Sequence, residues 1–455
     1  MTRRLVLSLL LIGCQSNPTS TPAPPPAIGV LDNVDALRSG DYSGVSTVEL
    51  GGYYGIGDGG GGRFALAAAT CTDNGGSMLV DSAGNCFHRA TSSYSPREWG
   101  AKGDGVTDDT LALQIWLDNK VLPEEPGSAS QQDRVGAGGT YLVTNTIVCP
   151  DNTTIRANGI EYVGTGNGTY NGLPPFQIVA DPVHWAGAGN PLFRMKSYCR
   201  ISGVALIANS SDATPIDAVS IDGFHAVIDN HAAIIGGRNN VITAGPGTGV
   251  QQTGFQIKDS QILQAAVYNL DYSTVNTRLI GNIIGGAGTA NIHFTGVEIT
   301  IANNNIEDSK GDGLVLDGAS LVKVIGNQIN HNGTEGTGAS GYGIKILGGT
   351  SHVAITGNEL NKNNFGRPTN TLGSHVLLVA SVAEPLVDLL FSGNVYSPFD
   401  NNDTPPRLVP DFAYDVQGTA AGFSALQIYE SPPGQGSGVA TPNAAAVFQA
   451  TQAVR

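Results

Sequence analysis

Charge is scarce in this chain. Charged residues make up 13% of the 455 positions, roughly half the ~25% of an ordinary soluble protein. Those present lean acidic, 23 Lys and Arg against 38 Asp and Glu, for a net charge of -15. A polyanion needs a basic surface, so nucleic acid is excluded as the main partner. An acidic polysaccharide stays compatible, because a local basic groove or a bound cation can bridge like charges. Long apolar runs are also missing. The longest near the start, Leu5 to Ile12, is too short to span a bilayer, and no other transmembrane segment follows. No Cys-x-x-Cys pair occurs among the five cysteines, which removes the common structural zinc frameworks. No ligand cluster demands Ca²⁺ either, and no cofactor is required, although Ca²⁺ would suit an acidic protein on an acidic substrate. Glycine, in contrast, is abundant at 62 residues. With Asn, Thr and scattered Ile and Val, it suits short strands and many tight turns rather than a disordered polymer.

The N-terminus reads as a targeting segment. Arg3 and Arg4 precede the apolar run, and Leu11-Ile12-Gly13-Cys14 resembles a bacterial lipobox. That resemblance implies a signal peptide over 1–13, lipidation of Cys14, and a place in the cell envelope, at the outer membrane, with plain secretion as the alternative. Residues 14–27 are rich in Pro, Ser and Thr and suit an extended tether. Residues 28–90 form a small Gly-rich module with short strands such as Arg63–Leu66 and Met78–Val80. Its run Asp58–Gly62 lacks the Lys-Ser/Thr of a phosphate-binding loop and is turn chemistry. Cys71, Cys86, Cys149 and Cys199 remain as an even set for an oxidising compartment. Three pairings exist; Cys71 with Cys86 and Cys149 with Cys199 is the one favoured here.

Further on, asparagines recur in similar frames. Asn282, Asn305, Asn327, Asn358 and Asn394 lie 23, 22, 31 and 36 residues apart, and stepping back 22 from Asn282 reaches Ser260. A period near 22 is one turn of a stacked β solenoid. The expectation is that each Asn takes the left-handed conformation at a corner and that stacked amides bond one another. The longer intervals place inserted loops near Thr334–Ser340 and Phe365–Gly373. After about residue 400 the pattern fades into low-complexity sequence, read as a tail or loose cap over 401–455.

The stretch Arg97-Glu98-Trp99-Gly100-Ala101-Lys102-Gly103-Asp104-Gly105-Val106-Thr107-Asp108-Asp109-Thr110-Leu111-Ala112-Leu113-Gln114 resembles the entry motif of the pectate-lyase-like β-helix superfamily, which also includes tailspikes. Locally it reads as a turn at Gly103–Gly105, then a helix with Thr107 as N-cap, then apolar residues Leu111 to Leu117 lying over an open core end. Asp104, Asp108 and Asp109 are assigned to turn and cap rather than to catalysis. The resemblance implies an all-β fold, a single-stranded right-handed parallel β-helix over 91–400 with an N-terminal capping helix. It further implies a polysaccharide partner, and tailspike relatives make a trimer compatible.

Aligning the strand after each Asn superposes Leu270-Asp271-Tyr272, Ile292-His293-Phe294, Leu314-Val315-Leu316 and Ile344-Lys345-Ile346. Flanking apolar residues point inward, so Asp271, His293, Val315 and Lys345 form an outward column. Asn269, Asn291, Gly313 and Gly343 form a second column, with Asp312 and Tyr342 at the strand entries. The resemblance places active sites on such a face. His293 oriented by Asp271 is a candidate base, Lys345 a group for a substrate carboxylate, and Tyr342 or Tyr272 a proton donor; Asp312 is a candidate acid. The polygalacturonase signature (Asn-Thr-Asp, Gly-His-Gly) is absent, and Asp181-Pro182-Val183-His184 only approximates the epimerase Asp-Pro-His-Glu. The favoured expectation is a lyase cleaving a uronate-containing glycan by β-elimination. Its rivals are a hydrolase using Asp271 with Asp312 or Asp308, and a non-catalytic glycan-binding surface protein with Tyr268, Tyr272 and Tyr342 as stacking groups.

Overall fold

The structure, a computed structural model, describes residues 29–440 apart from 91–94, 120–131, 137, 158–175, 188, 244–252, 334–340, 364–373, 398–411, 419 and 430–437. The signal peptide, Cys14, the whole tether and both expected loop insertions lie outside the described residues.

Short strands punctuated by turns cannot each bury a face alone, so they stack. Three parallel sheets of eleven strands result, and each turn of the chain gives one strand to each sheet. The chain is an all-β parallel β-helix. Sheet I contains Tyr268–Tyr272, Ala290–Phe294, Asp312–Leu316 and Ile344–Ile346. Sheet II contains Val275–Ile280, Val297–Ala302 and Ser320–Ile325. Sheet III contains Ile283–Gly285, Asn305–Glu307 and Gln328–Asn330. Leu270, Ile292, Leu314, Ile344 and Val376 stack as one fully buried column inside.

Two internal amide ladders fix the stacking. In the first, the side-chain amides of Asn282, Asn304, Asn327 and Asn358 each donate to the next Oδ1, ending on Asn394, all at 2.9 Å. Two sequence expectations are corrected here. The ladder member is Asn304, not Asn305, which begins a strand of sheet III. The left-handed residue is the one before the ladder Asn: Gly281, Asn303, Gly326, Gly357 and Gly393 have φ of 71°, 55°, 65°, 64° and 65°. Bending there, where Gly costs nothing, leaves the Asn free to aim its amide along the axis.

The second ladder overturns the reading of Asn269 and Asn291 as outward residues, since both are fully buried. Asn240 donates to Asn269, Asn269 to Asn291, Asn291 to Asn332 and Asn332 to Asn363, at 2.7–3.1 Å. In its later turns the Asn arrives from the preceding corner. A Cβ on Gly313 or Gly343 would come within 2.7 Å of the Asn332 or Asn363 amide nitrogen, so these glycines make room for the ladder.

A helix, Thr110–Asp118, covers the first turn with Leu113, Trp116 and Leu117 buried; Leu111 instead faces solvent. Its N-cap is Asp109, not Thr107. Thr107 belongs to a strand, Asp104–Asp108, because Asp104 captures its backbone N–H at 2.7 Å and its hydroxyl at 2.8 Å. Asp109 accepts from the N–H groups of Lys102 and Gly103 at 2.7 and 2.9 Å. Ahead of the helix, Thr47–Leu50, Gly62–Leu66, Cys86–Arg89 and Met78–Val80 pair in that order as an antiparallel sheet with its own core, including Val48, Phe64, Leu79 and Phe87. Disulfides join Cys71 to Cys86 and Cys149 to Cys199. The boundary at residue 400 is also corrected: Phe412–Gly418 and Phe423–Tyr429 pair in parallel with sheets I and II. Their alternation of apolar residues is short and sits between Pro-rich segments, which hid it.

A candidate active site on sheet I

Sheet I pairs Asp271 with His293, His293 with Val315, and Val315 with Lys345. These are adjacent turns, so consecutive side chains lie ~4.8 Å apart. His293 sits between two carboxylates. Its Nδ1 is 2.8 Å from Asp271 Oδ1, and its Nε2 is 3.9 Å from Asp317 Oδ2. The bond to Asp271 raises the imidazole pKa above its ordinary value, against the opposing effect of burial. Tyr268 stacks on the imidazole at 5.1 Å and 21°. Burial first, then the charges of Asp271, Asp312 and Asp317, push the Tyr268 hydroxyl up, so it stays protonated.

Two turns beyond His293, Lys345 Nζ lies 3.4 Å from Asp312 Oδ2 of the intervening turn, and the Tyr342 N–H donates to Asp312 Oδ1 at 2.8 Å. Burial raises the Asp312 carboxyl pKa. Asp312 is 8% exposed, so it anchors Lys345 and the strand entry rather than standing free as an acid. Tyr342 is largely buried, its hydroxyl 3.5 Å from Asp415. Tyr272 is wholly inside, against Phe294 at 5.1 Å, which removes it as a proton donor or sugar platform. Asp308 occupies a left-handed corner with φ 57°, off the outward column. Asp181 and His184 form a local turn, Nδ1 to Oδ2 2.6 Å.

The column therefore brings together Asp271 and His293, and separately Asp312, Lys345 and Tyr342. Alignment of strand centres missed Asp317, the next outward position after Val315, and gave Tyr268 only a stacking role. Counting two residues beyond Val315 would have found Asp317. Among the described residues no group of three or more His, Cys, Asp or Glu side chains converges on a metal position.

The fold defines a parallel β-helix with His293 and Asp271 paired on one sheet face. Known proteins share parts of this. Residues 30–92 match the family described as phage tail protein small four-stranded β-sheet domain, the module built above. The tailspike protein gp49 of Acinetobacter baumannii bacteriophage Fri1, a capsular polysaccharide depolymerase, superposes with a TM-score of 0.62 at 12% identity, covering 92% of this chain and 78% of that one. The enzymatically active domain of bacteriophage CBA120 tailspike protein 2 gives 0.53 at 15% identity, over 93% of this chain and 54% of that one. A probable glucan endo-1,3-β-glucosidase of Arthroderma benhamiae is 37% identical over 87 residues, 17% of this chain and 9% of that protein. The chain thus spans about half of the CBA120 domain and a small part of the fungal protein.

Proposed function

We propose that the His293 face cleaves a polysaccharide, and that the reaction is β-elimination from a uronate-containing glycan. The observation that carries the reading is the imidazole held by Asp271 with a protonated tyrosine stacked on it. Asp271 holds the Nδ1–H, leaving Nε2 to take the proton α to the substrate carboxylate. The electron pair released forms the new C=C bond and expels the glycosidic oxygen, which takes its proton from the Tyr268 hydroxyl. No water is consumed. Lys345 supplies positive charge for the carboxylate on which the electron density builds. The depolymerase named above, similar in fold, supports a glycan substrate.

Hydrolysis is the second reading. Asp271 and Asp317 flanking His293 favour it, as does the short match to a glucosidase. The chain is further proposed to be exported and lipid-anchored at Cys14, supported by the lipobox-like sequence and by two disulfides suited to an oxidising compartment.

The test is an activity screen of protein lacking residues 1–14 on polygalacturonate, alginate, hyaluronan and a β-1,3-glucan. It follows the ultraviolet absorbance of the conjugated product and reducing ends together, with His293→Ala alongside. Absorbance rising with reducing ends, and falling ~10²–10⁴-fold in the variant, is expected. Reducing ends without absorbance turn the reading to hydrolysis. Undiminished activity in the variant removes the site.

A further inference from the structure

Among the described residues only Tyr54, Tyr198 and Phe224 are exposed members of the Tyr, Phe and Trp set. Tyr54 is accounted for: its hydroxyl donates to the Gly100 carbonyl at 2.8 Å, and Lys102 lies over its ring. Tyr198 and Phe224, 45% and 37% exposed, touch each other. Phe224 meets Tyr198 edge-on at 5.3 Å, and His225 stacks on Tyr198 at 5.2 Å and 22°. Packing does not call for these rings, since the core beneath is closed by buried Cys199, in its disulfide to Cys149, and by buried Ala226. The backbone also works against them. Tyr198 and His225 have φ of 58° and 55°, a conformation disfavoured outside Gly, Asn and Asp.

Position gives the cluster a role. Tyr198 lies between Phe193–Met195 and Arg200–Ser202, and Phe224 and His225 between Val219–Ile221 and Val227–Asp229. Both segments turn from sheet I to sheet II, the edge at which the Asp271 strand also ends. Val219–Ile221 pairs with Asn239–Thr243, which pairs with Tyr268–Tyr272. Along the axis Phe224 and His225 therefore stand two turns from the Asp271 strand and Tyr198 three, roughly 10 and 14 Å at ~4.8 Å per turn, distances an oligosaccharide spans. Lys196 and Arg194, at 3.6 and 2.9 Å from Asp222, put hydrogen-bonding groups at its rim.

We propose that Tyr198, Phe224 and His225 form a subsite that stacks on the apolar face of a pyranose ring, in the same polysaccharide chain that reaches His293. This inference rests on the glycan reading above. Aromatic faces offer large, rigid apolar area at little entropic cost, and the C–H face of a pyranose is the matching surface.

The test uses Tyr198→Asn with Phe224→Ser, since Asn tolerates the left-handed backbone, beside Tyr198→Phe, which keeps the ring, and Val106→Ser as a remote control for an exposed apolar residue. Binding to the four polysaccharides is read by affinity electrophoresis, and kcat/KM is read on long chains and on the shortest cleavable oligosaccharide. The double variant is expected to bind long chains about tenfold more weakly, a loss of ~1.4 kcal/mol, and to narrow the advantage of long over short substrates; Tyr198→Phe retains binding. Full binding and an unchanged long-to-short ratio in the double variant overturn the subsite while cleavage by wild type still stands. Binding lost without any wild-type cleavage supports the subsite and overturns catalysis. A wild type that neither binds nor cleaves overturns both.

Discussion

At the residue scale the decisive group is His293, whose two ring nitrogens face Asp271 and Asp317. Its pKa is raised from 6.5 by the Asp271 bond. A histidine with a raised folded pKa contributes stability fully below its unfolded value, and loses that contribution as pH rises through the folded value. The thermal midpoint of His293→Gln should therefore fall furthest behind wild type below the ordinary imidazole value of 6.5 and close the gap once pH has passed the raised folded value. Catalysis has the opposite sign, because only the neutral imidazole is a base: kcat/KM should rise with pH through that same raised value. Asp271→Asn should move this limb to lower pH as well as lowering the rate. A limb that stays in place would assign it to another group. Asp271 and His293 were legible because apolar neighbours on both sides of each fix which way a strand residue points. Asp317 continues the same alternation two residues beyond Val315, but it follows the strand, and its approach to His293 depends on how the next turn stacks.

At the scale of the element, the asparagine corners hold the stack in register. Asn304 accepts from the backbone and side-chain N–H of Asn282 and donates to the Leu279 carbonyl and to Asn327, all at 2.9 Å. Removing it leaves several buried groups unpaired at ~1–3 kcal/mol each. Asn304→Ala should destabilise by about 2–4 kcal/mol in a urea titration, and Asn305→Ala, one residue on, by less than about 1 kcal/mol. Equal effects would contradict the ladder register. The repeat was legible in sequence to within one residue at Asn303-Asn304-Asn305, where three identical side chains conceal which one turns inward. The second ladder was hidden for a different reason. Asn269 and Asn291 lie in strands while Asn332 and Asn363 lie in corners, so no fixed spacing marks them.

For the whole molecule, the two disulfides differ in reach, with separations of 15 residues in the N-terminal module and 50 across the first turns of the β-helix. Loop entropy assigns the longer one about 4 kcal/mol. Cys149→Ser with Cys199→Ser should lower the thermal midpoint of the β-helix, whereas Cys71→Ser with Cys86→Ser should act on the module, which has its own core. A β-helix midpoint indifferent to loss of Cys149–Cys199 would show that strand pairing and the apolar core alone hold these turns together.

The sequence by itself determined the fold. Scarce charge, abundant glycine, a repeat near 22 residues and alternating apolar residues admit few solutions besides a stacked parallel solenoid, because each turn must bury its inner face on its neighbours. It also determined the outward column through Asp271 and His293, since that rests only on strand alternation and the length of one turn. Tertiary structure alone decided the rest: that Asn269 and Asn291 face inward, that Tyr272 is core, that Asp312 is tied to Lys345, and that Tyr198 meets Phe224. Each depends on corner geometry, where a single left-handed residue redirects the chain and sets which side chains from successive turns meet.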